Sequence, residues 1–420
     1  MSNESFILQH REDDVRRLAL AKFPEGIDAK WCLQQIEGWQ LARRKLPRWA
    51  ATEGLWYPPR LSLEQCSSEQ TAEYKRKVIE RLIPEAERAS MADLTGGLGV
   101  DFSYLASLFQ QATYIEVLPH LVELARHNMP LLLRHKGLDI REATTCDRHL
   151  SGLSLASQRC AASADAARRY ATSFVFLDPA RRDSKGQRTY SIADCSPNFI
   201  ELQDVLLTSA QWVMVKLSPM LDIHQALREL HHVCEVHVVS VQGECKELLF
   251  LCSAKERKDQ PVTFHCVNLG TEEDSLEVID ILDNLEVLGN LDNLDNLGSL
   301  FPLFLYEPNA SILKAGVQDV LCDRYPVRKL HLHSHLFVGR TLIPHFPGRS
   351  FRITGWSDFG KKNLKTFIGD LRQANLTTRN FPTSVAVLRR QLHLAEGGDV
   401  YLFATTQADG QHILIRCEKA

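Results

Sequence analysis

Hydrophobic residues in the middle of the chain form short apolar runs that alternate with stretches of helical periodicity. Such alternation is typical of βαβ units and of a parallel sheet covered by helices. A polar link, residues 242–244, joins the last two runs and indicates a final antiparallel pair. The pattern therefore predicts an α/β fold with a Rossmann-like sheet of seven strands. The predicted strands are Ser90–Leu94, Thr113–Glu116, Asp139–Thr144, Ser173–Asp178, Gln211–Leu217, Glu235–Val241 and Glu247–Cys252.

The segments that flank this pattern differ from it in composition. Residues 1–84 are rich in Arg, Trp and Gln, and their periodicity indicates a helical N-terminal region. Within it, Ser67 followed by Gln70 predicts a capping box at the start of a helix. Residues 301–420 form a basic, β-rich region that we expect to hold two small α+β modules. The predicted domains are 1–84, 85–268, a linker at 269–300, 301–348 and 349–420.

Two segments are expected to contribute little to the core. Residues 153–169 are rich in Ala and Ser, which indicates a surface insertion between two strands of the sheet. Residues 283–300 repeat Leu-Asp-Asn units. Acidic low-complexity sequence of this kind buries little apolar surface, so the repeat is interpreted as a linker or an expanded loop.

Composition limits the class of protein. The 420 residues carry a net charge of −3, so only local basic patches, not global charge, can argue for a nucleic-acid partner. The 11 Cys residues form no CxxC pair, which favours free thiols over disulfides or a zinc site. Residues 1–10 lack signal-peptide architecture, and no apolar run approaches membrane-spanning length. We therefore expect a cytoplasmic protein without a metal site.

A glycine-rich loop follows the first predicted strand and reads Asp93-Leu94-Thr95-Gly96-Gly97-Leu98-Gly99-Val100-Asp101. Glycine allows a sharp turn and a close approach of the backbone to a ligand, and the helix after it directs its N-terminal amides at the same place. The spacing does not match the G-x-G-x-x-G loop of dinucleotide sites. It matches the D/E-x-G-x-G-x-G loop of methyltransferases, with Thr95 at the first glycine position.

Acidic residues follow four successive predicted strands, and this pattern discriminates between cofactors. Glu116 lies where a carboxylate accepts hydrogen bonds from ribose hydroxyls, and Asp147 lies where an acid contacts an adenine amine. Asp93 and Asp178 end the first and fourth strands. We interpret the set as an S-adenosyl-L-methionine site, with a nicotinamide or other nucleotide and a purely structural turn as the alternatives. The predicted cofactor-binding residues are Asp93, Thr95, Gly96, Gly97, Gly99, Asp101, Glu116 and Asp147.

The segment Asp178-Pro179-Ala180-Arg181-Arg182 occupies the position of the (D/N)-P-P-(Y/F) loop of amino-group methyltransferases. Asp178 is predicted to hold the protons of the target amine, while Arg181 replaces the aromatic residue that stacks on a base. A guanidinium group stacks on bases and binds phosphates, and a solvated loop is the alternative. The predicted catalytic residues are Asp178, Pro179 and Arg181. Cys195 as a covalent nucleophile is a weaker alternative. Residues 216–219, which end the fifth strand, are interpreted either as a wall of the pocket that includes Lys216 or as a structural strand end.

The C-terminal region contains two further patterns. His331, His333 and His335 alternate, so we expect them to share one face of a strand, as a polar face rather than a metal site. Basic residues supply sequence-independent affinity for phosphates, with an ordinary solvated surface as the alternative. The basic residues of this region are Arg324, Arg328, Lys329, Arg340, Arg349, Arg352, Lys361, Lys362, Lys365, Arg372 and Arg379.

Several motifs together resemble one known family. They are residues 63–69 (Leu-Glu-Gln-Cys-Ser-Ser-Glu), Thr71-Ala72-x-Tyr74-Lys75, the loop from Asp93 to Asp101, the segment from Leu177 to Arg182, residues 306–310 (Tyr-Glu-Pro-Asn-Ala), and residues 396–405 (Glu-Gly-Gly-Asp-x-Tyr-Leu-Phe-Ala-Thr). On these residues the chain resembles bacterial class I methyltransferases with a ferredoxin-like domain and a THUMP-like C-terminal domain.

The resemblance implies a methyltransferase that uses S-adenosyl-L-methionine and has RNA as its partner, because true THUMP domains bind RNA. It places the ferredoxin-like domain at 301–348 and the THUMP-like domain at 349–420. Two other functions stay open at this point: a methyltransferase acting on protein or a small molecule, and a non-catalytic RNA-binding protein. The four acids at strand ends argue against the non-catalytic alternative.

Overall fold

The computed structural model describes residues 1–134, 137–143, 172–180, 191–255, 260–270 and 303–420, together with the backbone of residues 275–281. The chain forms two compact units. The first contains residues 1–239 and 246–262, and the second contains residues 240–245 and 263–420. The helical N-terminal region is therefore part of the first unit. The predicted insertion at 153–169 and the repeat at 283–300 lie outside the described residues.

Six helices form the N-terminal region: α1 (Asn3–His10), α2 (Val15–Leu18), α3 (Ala29–Lys45), α4 (Pro47–Ala51), α5 (Arg60–Gln65) and α6 (Glu69–Leu82). Helix α6 begins one residue later than predicted, because its cap is Ser68, whose hydroxyl accepts the N–H of Thr71 at 3.2 Å. The capping role predicted for Ser67 is wrong. The Ser67 side chain instead binds a buried carboxylate described below.

Seven strands of the first unit form the predicted sheet: β1 (Ser90–Asp93), β2 (Gln111–Glu116), β3 (Leu138–Glu142), β4 (Thr172–Leu177), β5 (Ala210–Leu217), β6 (Val233–Val241) and β7 (Glu244–Ser253). Their order is β3-β2-β1-β4-β5-β7-β6, and they are seven of the nine strands of one sheet, so the predicted number of seven strands is too low. The first five run parallel, and β7 pairs antiparallel with β5. Each predicted strand is present within a few residues, so the predicted Rossmann-like fold is confirmed.

Among the residues that the structure describes between β1 and β7, the helices are α7 (Val100–Leu105), α8 (Pro119–Leu132), α9 (Phe199–Ser209) and α10 (Ile223–Glu229). The central strands are buried on both faces, since β1 is buried throughout and β4 and β5 contain Phe174, Val175, Val213 and Met214 at 0% exposure. A strand covered on both faces is apolar throughout rather than alternating. The sheet therefore carries its polar side chains at the carboxyl ends of the strands.

The second unit includes β8 (Val262–Leu269) and β9 (Ser275–Ile281). The turn between β6 and β7 belongs to this unit, and the Gln242 amide donates to the Leu269 carbonyl at 2.8 Å. Helices α11 (Ala310–Ala315), α12 (Val320–Arg324), α13 (Lys361–Ile368) and α14 (Val385–Leu392) accompany the remaining strands. These strands are β10 (Leu303–Pro308), β11 (Arg328–Lys329), β12 (Phe337–Gly339), β13 (Gly348–Asp358), β14 (Asn375–Arg379), β15 (Val400–Thr406) and β16 (His412–Lys419).

The seven strands from β10 onward form one sheet in the order β11-β12-β10-β13-β16-β15-β14. Two apolar clusters pack within the unit, one around Leu305, Phe351 and Ile415 and one around Leu376 and Leu402. This arrangement confirms the predicted small α+β C-terminal modules. Among the described residues, no helix combines the length and the apolar character needed to span a membrane.

Candidate active site

The glycine loop lies between β1 and α7, and its backbone is fixed by short contacts. The Gly96 amide donates to the Ile115 carbonyl at 2.8 Å, and the Tyr114 hydroxyl donates to the Gly97 carbonyl at 2.5 Å. Gly97 and Gly99 have positive φ angles, +55° and +81°, which glycine adopts without strain. Gly99 also caps α7. The loop is thus held against β2 and turns directly into a helix.

Gly96 is required for a different reason, because no side chain fits at this position. A Cβ atom there would lie 2.1 Å from a ring carbon of Tyr114, whereas a Cβ on Gly97 would meet nothing closer than 3.6 Å. Tyr114 is itself fully buried and cannot move aside without opening the core. The tight seating of Gly96 therefore places the backbone of the loop directly against β2.

Gly96→Ala is expected to lower the free energy of unfolding by about 2–3 kcal/mol, because overpacking a buried site forces neighbouring groups apart. Gly97→Ala is the matched control and should cost about 1–2 kcal/mol, the penalty for a left-handed non-glycine residue. Urea unfolding of both variants tests the difference. Equal losses at the two positions would contradict the proposed packing against Tyr114.

Asp93 ends β1 and is 1% exposed. Its Oδ1 accepts the Thr95 amide at 2.9 Å. Burial raises the pKa of Asp93 to about 8; the bond from Thr95 opposes this, and the charges of Asp101, Asp178 and Glu116 add to it. The neighbouring acids thus add to the effect of burial and oppose ionisation of Asp93.

Glu116 ends β2, and its carboxylate organises the loop. One oxygen accepts the Gly97 amide at 2.8 Å, and the other accepts the amides of Val117 and Leu118 at 2.7 and 3.0 Å. These three bonds fix the carboxylate at the carboxyl end of β2, beside the glycine loop. The structure thus brings Asp93, Glu116 and the glycine amides together. Asp147 lies outside the described residues.

Asp178 follows β4, and its backbone is tied to the glycine loop. Its amide donates to the Thr95 hydroxyl at 2.6 Å, so the threonine at the first glycine position of the motif joins the two predicted halves of the site. Pro179 is buried beside it. Ala180 forms two backbone hydrogen bonds with Ser196, at 2.8 and 3.0 Å. Arg181 lies outside the described residues.

The Asp178 side chain forms an ion pair that the sequence did not predict. Its Oδ2 lies 2.6 Å from the ammonium nitrogen of Lys216 in β5. The same nitrogen donates to the Ser67 hydroxyl at 2.9 Å and lies 3.6 Å from Asp101. Burial opposes the charge of Lys216, but Asp178, Asp101 and Glu247 outweigh burial and raise the pKa of its ammonium group.

Behind Lys216 lies a second buried cation, Lys75 of α6, at 0% exposure. It contacts Asp101 at 3.2 Å and forms a short ion pair with Glu247 of β7. Asp101 also accepts the Ser67 hydroxyl at 2.6 Å. Burial opposes its charge, but Lys75 and Lys216 outweigh that effect and hold its pKa below the usual range. Asp101, predicted as a cofactor ligand, thus has its carboxylate bound within this charge network.

Three members of the network, Ser67, Lys75 and Glu247, were not predicted as site residues, and Lys216 was predicted only as a possible pocket wall, not as the partner of Asp178. One signal was present in the sequence, since Lys216 is a charged residue within the apolar run from Trp212 to Leu217. A charge that is buried in a strand requires a partner. The partners themselves are distant in sequence, and Lys75 and Glu247 are separated by 172 residues.

A small cavity opens beside Asp178, and it contains residues from three strand ends and the segment after 190. It places Cys195 close to Asp178, but the Cys195 thiol donates to the Ser191 carbonyl at 3.5 Å. Polar and apolar side chains both line it. The lining residues are Asp178, Pro179, Ser191, Ile192, Cys195, Lys216, Leu217, Ser218, Leu221 and Lys246.

In the second unit, the prediction for the three histidines is wrong. Strand β11 ends at Lys329, and residues 331–334 form a turn in which the His331 ring accepts the His333 amide at 3.0 Å. A histidine ring that accepts a neighbouring backbone amide favours this turn over an extended strand. The histidines therefore do not share a strand face.

The basic residues of the second unit divide into two groups. Arg349 and Arg379 both bind Glu307, which is 3% exposed, and the buried Lys329 pairs with Asp319. These three side chains support the fold. Others are exposed at or near α13: Lys361, Lys362, Lys365 and Arg372.

Comparisons with known proteins agree with this architecture. Residues 304–347 match a family described as "ferredoxin-like domain", and residues 348–419 match one described as "THUMP domain-like". No curated protein matches the chain. The chain is similar to a crystal structure described as "putative methyltransferase from Porphyromonas gingivalis W83", with 33% identity and a TM-score of 0.83, covering 100% of this chain and 97% of that chain.

Other solved structures match a smaller share of this chain. One described as "METTL16 MTase domain" has 10% identity and a TM-score of 0.37, covering 60% of this chain and 93% of that chain. Another, described as a "putative RNA methyltransferase" from Pyrococcus horikoshii, has 13% identity and a TM-score of 0.33, covering 50% and 98%. The high-coverage similarity to the Porphyromonas protein shows the family. The chain belongs to the bacterial methyltransferases with ferredoxin-like and THUMP-like C-terminal domains, which confirms the predicted family and enzyme class.

Proposed function

We propose that this enzyme uses S-adenosyl-L-methionine to methylate an amino group of an RNA base, with Asp178 orienting the target. The observation that carries the proposal is the Thr95 side chain, which links the glycine loop to Asp178 through a 2.6 Å hydrogen bond. Because of this link, the glycine loop, which suits the methyl donor, and Asp178, which suits the acceptor amine, lie at one edge of the sheet. Transfer requires that proximity.

The residues at the glycine loop fit adenosylmethionine in shape and charge. The closely seated Gly96 and the positive-φ Gly97 let a ligand approach the backbone. The Glu116 carboxylate suits a ligand that carries hydroxyl donors and positive charge. We propose that Asp93, Thr95, Gly96, Gly97, Gly99 and Glu116 hold the cofactor, and that Asp101 acts through Lys75 and Lys216 instead.

When bound, adenosylmethionine supplies a methyl group that is carried on a cationic sulfur. The lone pair of the amine nitrogen forms the new N–C bond as the S–C bond breaks, and the electrons of the S–C bond neutralise the sulfur. One proton leaves the nitrogen. Asp178 accepts a hydrogen bond from the amine and so directs its lone pair away from the carboxylate. Its 39% exposed side chain gives that proton a route to water. Positioning and electrostatics supply most of the acceleration in such a site.

RNA as the partner is supported by the match to a THUMP-like domain and by helix α13. Lys361, Lys362 and Lys365 lie in its first five residues. The helix dipole disfavours cations near the N-terminus of a helix, so three lysines there do not stabilise the helix. Their exposure suits contacts with phosphates.

The test is methyl transfer from labelled adenosylmethionine into total RNA and total protein from cells that lack this gene. We expect label in RNA, and we expect adenosylhomocysteine to raise the unfolding temperature of the full-length protein, since a ligand that binds only the folded state stabilises it. Label in protein alone would favour a methyltransferase that acts on protein. No stabilisation at millimolar adenosylhomocysteine would reject the cofactor assignment.

A further inference from the structure

A groove of about 500 Å³ lies in the second unit, between helix α13 and strands β13 and β16. Its volume falls in the range of about 300–1,000 Å³ in which proteins bind small ligands. The groove shares no residue with the cavity beside Asp178, so the proposed methyl transfer gives it no role. The lining residues that concern a ligand are Trp356, Asp358, Lys362, Asn363, Phe367 and Gln411.

Two aromatic rings form the apolar part of the groove. Trp356 lies in β13 and packs against the cluster around Leu305. Phe367 lies in α13 and packs against the cluster around Leu376. Both side chains are half-buried and line the groove, so the core holds each ring while part of its surface stays accessible. Aromatic rings of this kind are the groups on which the bases of single strands stack.

Two carboxamide groups belong to the polar part of the groove. The Asn363 NH2 group donates to the two oxygens of Asp358 at 3.2 and 3.0 Å, and Asp358 also accepts the Gly360 amide at 2.7 Å. These bonds occupy the Asp358 carboxylate and hold the Asn363 side chain. Among the described residues, the Asn363 carbonyl oxygen and the Gln411 side-chain amide have no hydrogen-bond partner. Carboxamides suit the donors and acceptors at the edge of a base.

Three exposed lysines of α13 supply positive charge at the groove. Lys362 lines it, while Lys361 and Lys365 lie one helical turn apart, with about 6 Å between their Cβ atoms. Within the described part of the chain none of the three forms an ion pair, whereas the exposed Arg352 pairs with Glu418. Cations without protein partners, next to aromatic rings, suit the phosphates of a strand whose bases stack on those rings.

We propose that this groove binds an unpaired nucleotide of the RNA, with its base against Trp356 and Phe367 and the adjacent phosphates at the three lysines. A base within a duplex cannot enter, because it is stacked inside the helix and exposes only its edge. The inference rests on the RNA partner of the proposed function. It adds a contact to a single-stranded segment, made by residues other than those proposed to transfer the methyl group.

The experiment measures the affinity of the full-length protein for fluorescein-labelled oligouridine by fluorescence anisotropy, at several salt concentrations. The same strand paired with oligoadenosine is the duplex probe. Wild-type protein should bind the single strand at least about 10-fold more tightly than the duplex, since only the unpaired bases can stack in the groove. Equal or tighter binding of the duplex, or no binding of the single strand, overturns the proposal.

Variants separate the phosphate contacts from the base contact. Lys361→Gln combined with Lys365→Gln should weaken single-strand binding at least about 10-fold and reduce the slope of log affinity against log salt by roughly 1.4, as expected for two phosphate contacts. Trp356→Leu should weaken binding at least about fivefold and leave that slope unchanged. Arg352→Gln is the matched control and should bind like wild type. Unchanged affinity in the lysine variant, or an equal loss in Arg352→Gln, contradicts the proposal.

Cross-linking provides a measurement that needs no variant, because Trp356→Leu alters a packed side chain and can fail to fold. Oligouridine that contains 4-thiouridine should cross-link on irradiation to residues 356–367 or to Gln411 of the wild-type protein, as located by mass spectrometry. Cross-links at other residues alone overturn the proposal. If wild-type protein methylates RNA and the groove measurements fail, only this inference fails. If RNA is neither bound nor methylated, the RNA partner of the proposed function fails with it.

Discussion

Asp178→Asn is expected to lower methyl transfer at least 100-fold while leaving adenosylhomocysteine affinity within about twofold of wild type. The reason is the hydrogen bond from Lys216 to Oδ2. An asparagine must present its carbonyl oxygen to the Lys216 ammonium group, so its NH2 group takes the place of Oδ1. That NH2 group then faces the N–H groups of the target amine, and two donors meet. The substitution therefore removes the acceptor without removing the side chain.

Initial rates with labelled adenosylmethionine and calorimetric titration with adenosylhomocysteine test this expectation together. Asp204→Asn, an exposed acid in α9, is the matched control and should behave like wild type. Near wild-type turnover in Asp178→Asn would remove Asp178 from the mechanism. Loss of adenosylhomocysteine binding would instead place Asp178 in the cofactor site.

The sheet could be predicted from the sequence because its strands are short apolar runs ending in acids. Asp93, Glu116 and Asp178 were recognised for that reason, since a carboxylate directly after a buried strand is not needed by the core. The glycine pattern predicted the loop. The hydrogen bond between Thr95 and Asp178 could not be predicted, because only the fold brings these two residues together.

The charge network behind Asp178 could not be predicted, because its pairs join distant parts of the chain. Ser67 shows the difficulty: its local sequence favours a helix cap, but its hydroxyl is 2.6 Å from the buried Asp101 carboxylate, and Ser68 takes the cap instead. The basic residues of the second unit show the same difficulty of predicting side-chain partners that are distant in sequence. Composition alone did not separate Arg349 and Arg379, which bind the buried Glu307, from the exposed lysines of α13.

Asp93→Asn is expected to stabilise the protein at pH 8 while weakening adenosylhomocysteine binding at least 10-fold. The pKa of Asp93 is about 8 in the folded protein, because burial raises it from the ordinary value of 3.8. Between these two values the folded state binds a proton that the unfolded state has released. Stability from this group is therefore lost as pH rises from about 4 to 8. Asparagine carries no charge and keeps an acceptor for the Thr95 amide.

The measurement is the free energy of unfolding of both proteins from pH 5 to pH 8.5. The difference in favour of Asp93→Asn should grow by about 2–4 kcal/mol between pH 5 and pH 8 and then level off. Asp222→Asn is a control whose difference from wild type should stay constant from pH 5 to pH 8.5. The Gln225 amide lowers the pKa of Asp222 at the start of α10, so its contribution is present at neutral pH and lost in acid. A difference between wild type and Asp93→Asn that is independent of pH would mean that Asp93 is already ionised in the folded protein at pH 5, and that a buried carboxylate, rather than a carboxylic acid, meets the cofactor.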